Sequence, residues 1–275
     1  MYNLETMINK SQHFSYLNVI GMRIDLVQIP DVIKRISEWI ENKVRGNYVI
    51  VANAYDVTVS RRGIMAMNAA NGSALTVADG ISLVLLARLR GYKLKKRVYG
   101  PDLMLEFLKI SETKRYSHFF YGATERTLGL LVKNLKERFP SLKIAGSYAP
   151  SFSELSVEED SAVVEMINKS NPDVVWVGLG CPKQQLWMYE HKNKIAVPVM
   201  VGVGAAFDFL AGVKPQAPPW IRDNGFEWLF RLITEPKRLW RRYLIDYPFF
   251  VYYMLVELIS KPIKSLLNKQ NYDKI

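Results

Sequence analysis

The sequence predicts an α/β protein: a Rossmann-like parallel sheet with helices on both faces, followed by a helical C-terminal appendage. Short apolar segments alternate with helical patterns over residues 48–212, which is typical of parallel sheets covered on both sides. Residues 173–212 contain two similar units, each an apolar run followed by glycines and a helix. This alternation stops after residue 212. We therefore predict a frayed N-terminus at 1–17, a core at 18–212 and an appendage at 213–275.

The predicted elements follow from local patterns. Residues 18–26 alternate around Gly21, which predicts a small β-hairpin or edge strands. Pro30 and Asp31 open a helix whose apolar residues share one face. Buried strands are predicted at 48–52, 75–78, 119–121, 142–146, 174–177 and 199–203. Further helices are predicted at 81–90, 125–138 and 157–170.

Glycine pairs follow the last two predicted strands. Gly178 and Gly180 follow one strand, and Gly202 and Gly204 follow the other. Glycine permits a tight turn, and ligands of open parallel sheets bind at the carboxyl ends of the strands. Free N–H groups at the start of the next helix suit a phosphate. The two loops therefore predict an anionic, nucleotide-like ligand.

The composition limits the class of protein. A formal net charge of +11 over 275 residues predicts an anionic partner. The single cysteine, Cys181, excludes an intramolecular disulfide and indicates a reducing compartment. The first residues lack the apolar centre of a signal peptide, and no segment approaches the roughly 20 apolar residues of a spanning helix. We expect a cytoplasmic protein that is peripheral to the inner face of the membrane.

The predicted appendage is both basic and aromatic. After a proline-rich loop at 214–220, arginine and lysine are interspersed with Trp, Tyr and Phe. This mixture suits single-stranded nucleic acid, and it equally suits the interface of a membrane. The run PFFVYYMLVELI at 248–259 favours the membrane, because nucleic-acid surfaces rarely need so many adjacent aliphatic side chains. We expect 213–275 to dock on an anionic membrane surface and to bind no nucleic acid.

Two polar residues end predicted strands, where an α/β sheet presents catalytic groups. Asp79 precedes Gly80 at the end of the strand 75–78. Its position also suits a helix N-cap, which spacing alone favours, and one aspartate can serve both roles. Asn53 ends the strand 48–52, and it can bind a sugar hydroxyl or cap the next helix.

Other candidates lie at helix starts and in basic or apolar segments. Lys183 and Gln184 open the helix after Gly180, where they meet either a ligand or solvent. Arg97 follows a lysine cluster of the kind found on solvated faces and anion patches. Asp102 suits an N-cap, whereas Asp208 lies in an apolar segment and needs a partner.

Motifs for metals and common cofactors are missing from the sequence. There is no C-x-x-C, no H-E-x-x-H and no Asp-x-Asp of the kind that holds a divalent cation against a nucleotide diphosphate. The sequence also lacks a Walker A loop and a full G-x-G-x-x-G, since GLGCPK and GVGAAF are partial fingerprints. We expect neither a metal nor a cofactor.

Several segments occur in one fixed order along the chain. They are Asn53-Ala54, Ala78-Asp79-Gly80, 97–103, 178–185, Gly202-Val203-Gly204 with Phe207-Asp208, and 227–232 with Glu235-Pro236. Together they resemble the WecG/TagA/CpsF family of bacterial glycosyltransferases, over about residues 18–245. The ordered set is far more specific than any one of its motifs.

This resemblance implies inverting transfer of a sugar from a UDP-sugar donor to a polyprenyl-diphosphate-linked saccharide. The implied products are surface polysaccharides: common antigen, teichoic acid, capsule or exopolysaccharide. It further implies a metal-independent enzyme whose appendage completes the active site and touches the membrane. Members of the family it resembles form dimers or trimers, so a homo-oligomer is one possibility, but the sequence leaves the oligomeric state open.

The resemblance also assigns roles by position. Asp79 matches the proposed catalytic base. Asn53, Arg97 and Gln184 match substrate-site residues, and the motifs add the following to the predicted substrate site: Gly80, Asp102, Gly180, Lys183, Gly202 and Asp208. The appendage arginines that match residues reaching the diphosphate are Arg231, Arg238 and Arg241.

Two positions depart from the teichoic-acid members of the family. Val51 stands where those members carry threonine, and Gln185 stands where glutamate is usual. The donor sugar, N-acetylmannosamine in those members, is therefore left open.

Two other functions compete with glycosyl transfer. A nicotinamide-dependent oxidoreductase fits the fold class, but it requires a complete glycine fingerprint with an acid roughly 20 residues further on. A non-enzymatic basic module that binds membrane or nucleic acid fits the charge, but it leaves Asp79 and the paired glycine loops unexplained.

Overall fold

Eight strands form one sheet in the computed structural model, which describes residues 14–151 and 155–257. The strands are β1 Tyr16–Val19, β2 Met22–Asp25, β3 Asn47–Ala52, β4 Leu75–Ala78, β5 Ser117–Gly122, β6 Lys143–Tyr148, β7 Val174–Gly178 and β8 Val199–Gly202. They lie in the order β1-β2-β4-β3-β8-β7-β5-β6. Only the β1–β2 pair is antiparallel within this sheet. The predicted α/β class is confirmed.

Helices connect these strands and cover the sheet. In the core they are α1 Ile29–Glu41, α2 Ala54–Arg62, α3 Ile64–Asn71, α4 Ile81–Leu89, α5 Gly100–Lys114, α6 Glu125–Arg138, α7 Val157–Ser170, α8 Lys183–His191 and α9 Ala206–Leu210. In the appendage they are α10 Pro219–Asp223, α11 Glu227–Thr234 and α12 Pro236–Arg241. A π-helical turn at Arg242–Asp246 then leads into a helix that continues to residue 257.

The predicted hairpin is β1–β2. Tyr16 pairs with Asp25 and Val19 with Met22, and the turn residues Ile20 and Gly21 both have positive φ. The strand begins at Tyr16, so residues 16 and 17 belong to the sheet and not to the frayed segment predicted at 1–17. Of the rest of that predicted segment, residues 14 and 15 are described and form no strand or helix, whereas residues 1–13 lie outside the described residues, as do residues 258–275 of the appendage.

Successive residues of each central strand point to opposite faces of the sheet, where two apolar layers cover it. In β3, Val49 and Val51 face the layer that contains α1, α5 and α6, whereas Tyr48 and Ile50 face the layer that contains α2, α4 and α8. A strand buried on both faces has no polar side, which explains its continuous apolar sequence. The second layer also includes Phe250 and Met254, so the C-terminal helix packs on the core.

Strand order determines which loops meet. Because β4, β3, β8 and β7 are consecutive neighbours and parallel, the loops after them share one edge of the sheet. These are the loops that begin at Asn53, Asp79, Leu179 and Val203. The sheet thus brings the predicted site segments together.

Side-chain hydrogen bonds join the appendage to the core. Arg62 Nη1 donates to Asp246 Oδ1 at 2.6 Å, and the backbone N–H of Ile20 donates to Glu257 Oε2 at 3.1 Å. Within the described part of the chain, no helix is both long enough and apolar enough to cross a membrane.

Candidate active site

Asp79 lies where β4 ends, at the carboxyl edge of the sheet. All four residues of β4 are buried, and the Asp79 N–H donates to the carbonyl of Ala52 on β3 at 2.7 Å. This bond continues the parallel ladder and fixes the backbone of Asp79. Its side chain is 22% exposed, yet Oδ1 is buried and has no hydrogen-bond partner among the described residues. A buried carboxylate oxygen left in this state is unusual and indicates a functional position.

Arg97 and Glu227 flank Asp79. Arg97 Nη1 lies 3.9 Å from Asp79 Oδ1 and donates to the Asp79 carbonyl at 3.4 Å. Its other terminal nitrogen, Nη2, makes a close ion pair with Glu227 Oε2. The guanidinium also stacks on Tyr99, 4.3 Å from the ring centroid. Glu227 comes from α11, so this contact joins the core to the appendage.

The environment of Asp79 disfavours its charged form. Burial raises the pKa of Asp79 to about 7 and outweighs the opposing charge of Arg97. The negative charges of Glu227 and Asp56 raise it further, while Arg231 lowers it. A carboxylate with this pKa is half protonated near neutrality, which is the range that suits a general base.

Asn53 has two structural partners as well as a place in the pocket. Its Oδ1 accepts the Tyr55 N–H at 2.9 Å and caps α2, and its own N–H donates to Asp56 Oδ2 at 2.9 Å. The same Oδ1 accepts a hydrogen bond from Arg242 Nη2 at 3.0 Å. Gly80 lies against this residue, since a Cβ there would come within 3.0 Å of Asn53 Cβ. Asn53 is therefore both a helix cap and a wall of the site.

A pocket of about 240 Å³ opens between the core and the appendage. It is lined by Asn53, Asp79, Gly80, Ile81, Ser82, Leu85, Arg97, Gly225, Glu227, Trp228, Arg231, Arg242, Tyr243 and Tyr247. Two carboxylates and three guanidinium groups thus converge on one space. Positive charge next to a basic carboxylate suits a reaction in which a proton is removed and an anion departs.

Two arginines of the appendage have unused hydrogen-bonding capacity in this pocket. The Nε atoms of Arg231 and Arg242 are buried without a hydrogen-bond partner among the residues that the structure describes. Aromatic rings support both groups: Arg231 lies 5.4 Å from the centroid of Phe209, and Arg242 lies 4.6 Å from that of Tyr55. Both guanidinium groups are therefore held in place, and each keeps an N–H donor for a ligand.

The other two predicted arginines lie outside the pocket. Arg238 is half exposed and makes a two-fold hydrogen bond to Glu235, at 2.7 and 2.8 Å. Arg241 is exposed and stacks on its neighbour Trp240. The pocket is lined by Arg242, which was not singled out from the sequence, and the diphosphate role of Arg238 and Arg241 stays a prediction. We missed Arg242 in the sequence because adjacent arginines on a helix cannot be told apart without knowing which face meets the core.

The glycine-loop residues serve the backbone more than the pocket. Gln184 is buried and accepts the Gly180 N–H at 3.2 Å through Oε1. A Cβ on Gly202 would come within 3.1 Å of Gln184 Nε2 and 2.8 Å of Met188 Cε, so a larger residue there would displace the ends of these two side chains. Lys183 is exposed at the start of α8. None of these residues lines the pocket.

The predicted acids Asp102 and Asp208 are both ion-paired away from Asp79. Asp102 Oδ1 lies 3.2 Å from Arg222 Nη1, and Asp208 Oδ2 lies 2.6 Å from Lys214 Nζ. Asp208 lies in an apolar segment and was expected to need a partner. That partner is Lys214. The substrate roles predicted for these acids remain predictions.

The two positions that depart from the teichoic-acid pattern lie behind the pocket. Val51 is buried in the apolar layer with α1 and α5. Gln185 Nε2 donates to the buried Asp56 Oδ1 at 2.6 Å. Asp56 in turn accepts the backbone N–H of Asn53, so Gln185 supports the start of α2.

No group of three or more His, Cys, Asp or Glu side chains is arranged to hold a metal ion in the described part of the chain. Metal independence remains a prediction.

Glu227 was missed as a site residue although it begins a motif segment. Its partner Arg97 is 130 residues away, so no local pattern connects them.

Comparison with known proteins gives a family and named relatives. A family model described as Glycosyl transferase WecG/TagA/CpsF family matches residues 17–264. A Staphylococcus aureus (strain NCTC 8325 / PS 47) protein is 28% identical over 246 residues, which cover 89% of this chain and 94% of the relative. A Bacillus subtilis (strain 168) protein is 32% identical over 174 residues, 63% of this chain and 66% of the relative. Both are named N-acetylglucosaminyldiphosphoundecaprenol N-acetyl-beta-D-mannosaminyltransferase.

Proposed function

The chain belongs to the WecG/TagA/CpsF family of glycosyl transferases, and on that premise we propose the reaction that it catalyses. It transfers a hexose or N-acetylhexosamine from a UDP-sugar to a polyprenyl-diphosphate-linked saccharide, in the synthesis of a bacterial surface polysaccharide. The observation that carries this proposal is the Asp79 carboxylate, which shares a pocket with Arg97, Arg231 and Arg242.

Asp79 removes the proton from the acceptor hydroxyl. The hydroxyl oxygen forms a bond to the anomeric carbon as the bond from that carbon to the β-phosphate oxygen of the donor breaks. Attack from the face opposite the leaving group inverts the configuration at that carbon. The proton ends on Asp79, and the electron pair of the broken bond leaves with UDP. A positioned base contributes about 10²- to 10⁴-fold to such a step.

Arg231 and Arg242 stabilise the departing diphosphate. Each has a buried Nε that lacks a hydrogen-bond partner among the described residues. Guanidinium groups present several donors in a fixed plane that matches phosphate oxygens. Fixed charges of this kind act where negative charge develops, and this is usually the largest single contribution to catalysis.

The relatives make an acceptor on a polyprenyl diphosphate the first choice. Their name describes an N-acetylmannosaminyl group transferred to N-acetylglucosaminyldiphosphoundecaprenol. A donor with N-acetylmannosamine is the leading candidate on this ground, while Val51 and Gln185 keep related sugars open. The family match favours this enzyme over a nicotinamide-dependent oxidoreductase and over a non-enzymatic basic module.

The appendage docks on an anionic membrane, where a polyprenyl-linked acceptor resides. Large apolar side chains are exposed on it, with Trp220 at 70% and Ile233 at 71%. Lys237, Arg238 and Arg241 are also exposed on α12. Apolar side chains insert at the headgroup boundary, and each basic residue near an anionic surface adds about 1 kcal/mol.

A transfer assay tests the reaction. Purified chain is incubated with a synthetic polyprenyl-diphosphate N-acetylglucosamine and with a panel of UDP-hexoses and UDP-N-acetylhexosamines. Mass spectrometry should detect an acceptor heavier by one sugar, and NMR should show the inverted anomeric configuration. Retained configuration, or no transfer from any UDP-sugar while NAD binds, would overturn the proposal.

A further inference from the structure

We infer that Glu227 is a positioning residue that sets the basicity of Asp79 through Arg97. Its carboxylate binds one end of the Arg97 guanidinium and keeps that cation from pairing fully with Asp79. This inference rests on the proposed role of Asp79 as the base. It assigns a catalytic consequence to a residue of the appendage that touches neither the donor nor the acceptor in our mechanism.

The two terminal nitrogens of Arg97 make unequal contacts with the two carboxylates. Nη2 is in close contact with Glu227 Oε2, whereas Nη1 is 3.9 Å from Asp79 Oδ1, beyond hydrogen-bond distance. Nη1 donates instead to the Asp79 backbone carbonyl at 3.4 Å. The Tyr99 ring under the guanidinium fixes its plane. Asp79 Oδ1 is consequently left without a hydrogen bond within the described residues.

The alternative arrangement would produce a poor base. A carboxylate paired directly with an arginine has its pKa lowered by about 1–3 units. Such an Asp79 would be ionised at neutral pH, but it would have little affinity for the acceptor proton. With Glu227 present, one cation is shared between two carboxylates. The remaining attraction between Arg97 and Asp79 orients the Asp79 carboxylate but does not lower its pKa enough to make it a poor base.

The other charged and titratable groups around Asp79 do not substitute for Glu227. Arg231 from α11 and Arg242 from the π-helical turn bring positive charge, while Asp56 on α2 is engaged by Gln185. Tyr243 and Tyr247 also line the pocket. Among the pocket-lining residues, Glu227 is the carboxylate other than Asp79 itself.

A simpler role for Glu227 is to dock the appendage. It is 8% exposed and begins α11, where an acid suits the helix N-terminus. Glu227→Gln separates the two roles, because glutamine retains the size and can still accept a hydrogen bond from Arg97 while the negative charge is lost. If that hydrogen bond and the docking it supports were the whole role, Glu227→Gln would keep both, and the pH dependence of the rate would not move.

The experiment measures kcat/KM for the acceptor against pH, at saturating donor, in four full-length proteins. These are the wild type, Glu227→Gln, Glu227→Asp and Glu165→Gln. The last removes an exposed carboxylate on α7, which packs against the edge strand β6. The acidic limb should lie near pH 7 in the wild type and move to lower pH by about 1 unit or more in Glu227→Gln. The plateau should fall by up to about 10-fold for each unit, because a weaker base transfers the proton more slowly.

Glu227→Asp, which keeps the charge, should stay close to the wild-type limb, and Glu165→Gln should match it. An unmoved limb in Glu227→Gln overturns the inference. Titration of Asp79 by carbon-13 NMR in the wild type gives a second measurement that needs no folded variant. A midpoint near the ordinary aspartate value of about 4 also overturns it. If Asp79→Asn keeps both its rate and its acidic limb, the proposed base itself is wrong, which is a different result.

Discussion

The side-chain oxygen of Asn53 accepts a hydrogen bond from Arg242 Nη2 at 3.0 Å, although the two residues are 189 positions apart. That oxygen also caps α2 through the Tyr55 N–H. One atom therefore couples the start of a core helix to an appendage arginine. Contacts of this kind hold the appendage against the core at the pocket.

Asp79→Asn should lower kcat by about 10²-fold or more and leave donor affinity nearly unchanged. Asparagine has the shape of aspartate but cannot take the acceptor proton, and a positioned base contributes about 10²- to 10⁴-fold. Initial rates and donor binding by calorimetry check the two halves. Near-normal turnover would reduce Asp79 to a structural residue at the end of β4.

The same substitution should stabilise the protein at high pH. Burial raises the pKa of Asp79 from 3.8 to about 7, so the folded state holds a proton that the unfolded state has released. Stability is therefore lost as pH rises from about 4 to about 7, and asparagine removes that loss. Tm at pH 8 should rise by about 2–4 °C or more, and the difference should shrink at pH 4. If Asp79→Asn changed Tm by the same amount at pH 8 and at pH 4, the raised pKa of Asp79 would be contradicted.

Arg242→Gln should cost more activity than Arg241→Gln. The first removes a guanidinium from the pocket, whereas the second removes one that stacks on Trp240 outside it. We expect kcat/KM for the donor to fall by about 10- to 100-fold in Arg242→Gln, the worth of a hydrogen bond to a charged group. A larger loss in Arg241→Gln would restore the role that the family resemblance gave it.

Membrane docking should depend on the exposed apolar residues of the appendage. The double substitution Trp220→Ser with Ile233→Ser should weaken co-sedimentation with phosphatidylglycerol vesicles by at least about 10-fold, since each buried apolar side chain contributes about 1.5–3 kcal/mol. Ile64→Ser is the matched control: it is 82% exposed but lies on α3 of the core. Equal loss in the control would point to general apolar adhesion and not to the appendage.

Transfer should continue in excess EDTA after exhaustive dialysis. The sequence has no Asp-x-Asp motif, and in the proposed mechanism the arginines of the pocket neutralise the diphosphate in place of a divalent cation. Initial rates with and without chelator measure this directly. Loss of activity that Mg²⁺ or Mn²⁺ restores would mean that the arginines are insufficient for the leaving group.

Local patterns predicted the fold but not the whole pocket. The alternation that predicts parallel strands also places Asn53 and Asp79 at one edge, because side chains following neighbouring parallel strands must meet. No local pattern predicts the pairing of Arg97 with Glu227 or of Asn53 with Arg242. Those contacts depend on how the appendage packs on the core, and that packing is set by tertiary contacts such as Phe250 and Met254 in the α2 layer.

The pocket between the core and the appendage also sets an order of events during synthesis of the chain. The last strand, β8, ends at Gly202, whereas Glu227, Arg231 and Arg242 follow it in sequence. Every strand of the sheet has therefore left the ribosome before any of these three side chains emerges. A nascent chain can carry Asp79 at the end of β4 and still lack the appendage side chains that complete the pocket. Under the proposed mechanism, the chain becomes competent for transfer only after translation has passed Arg242.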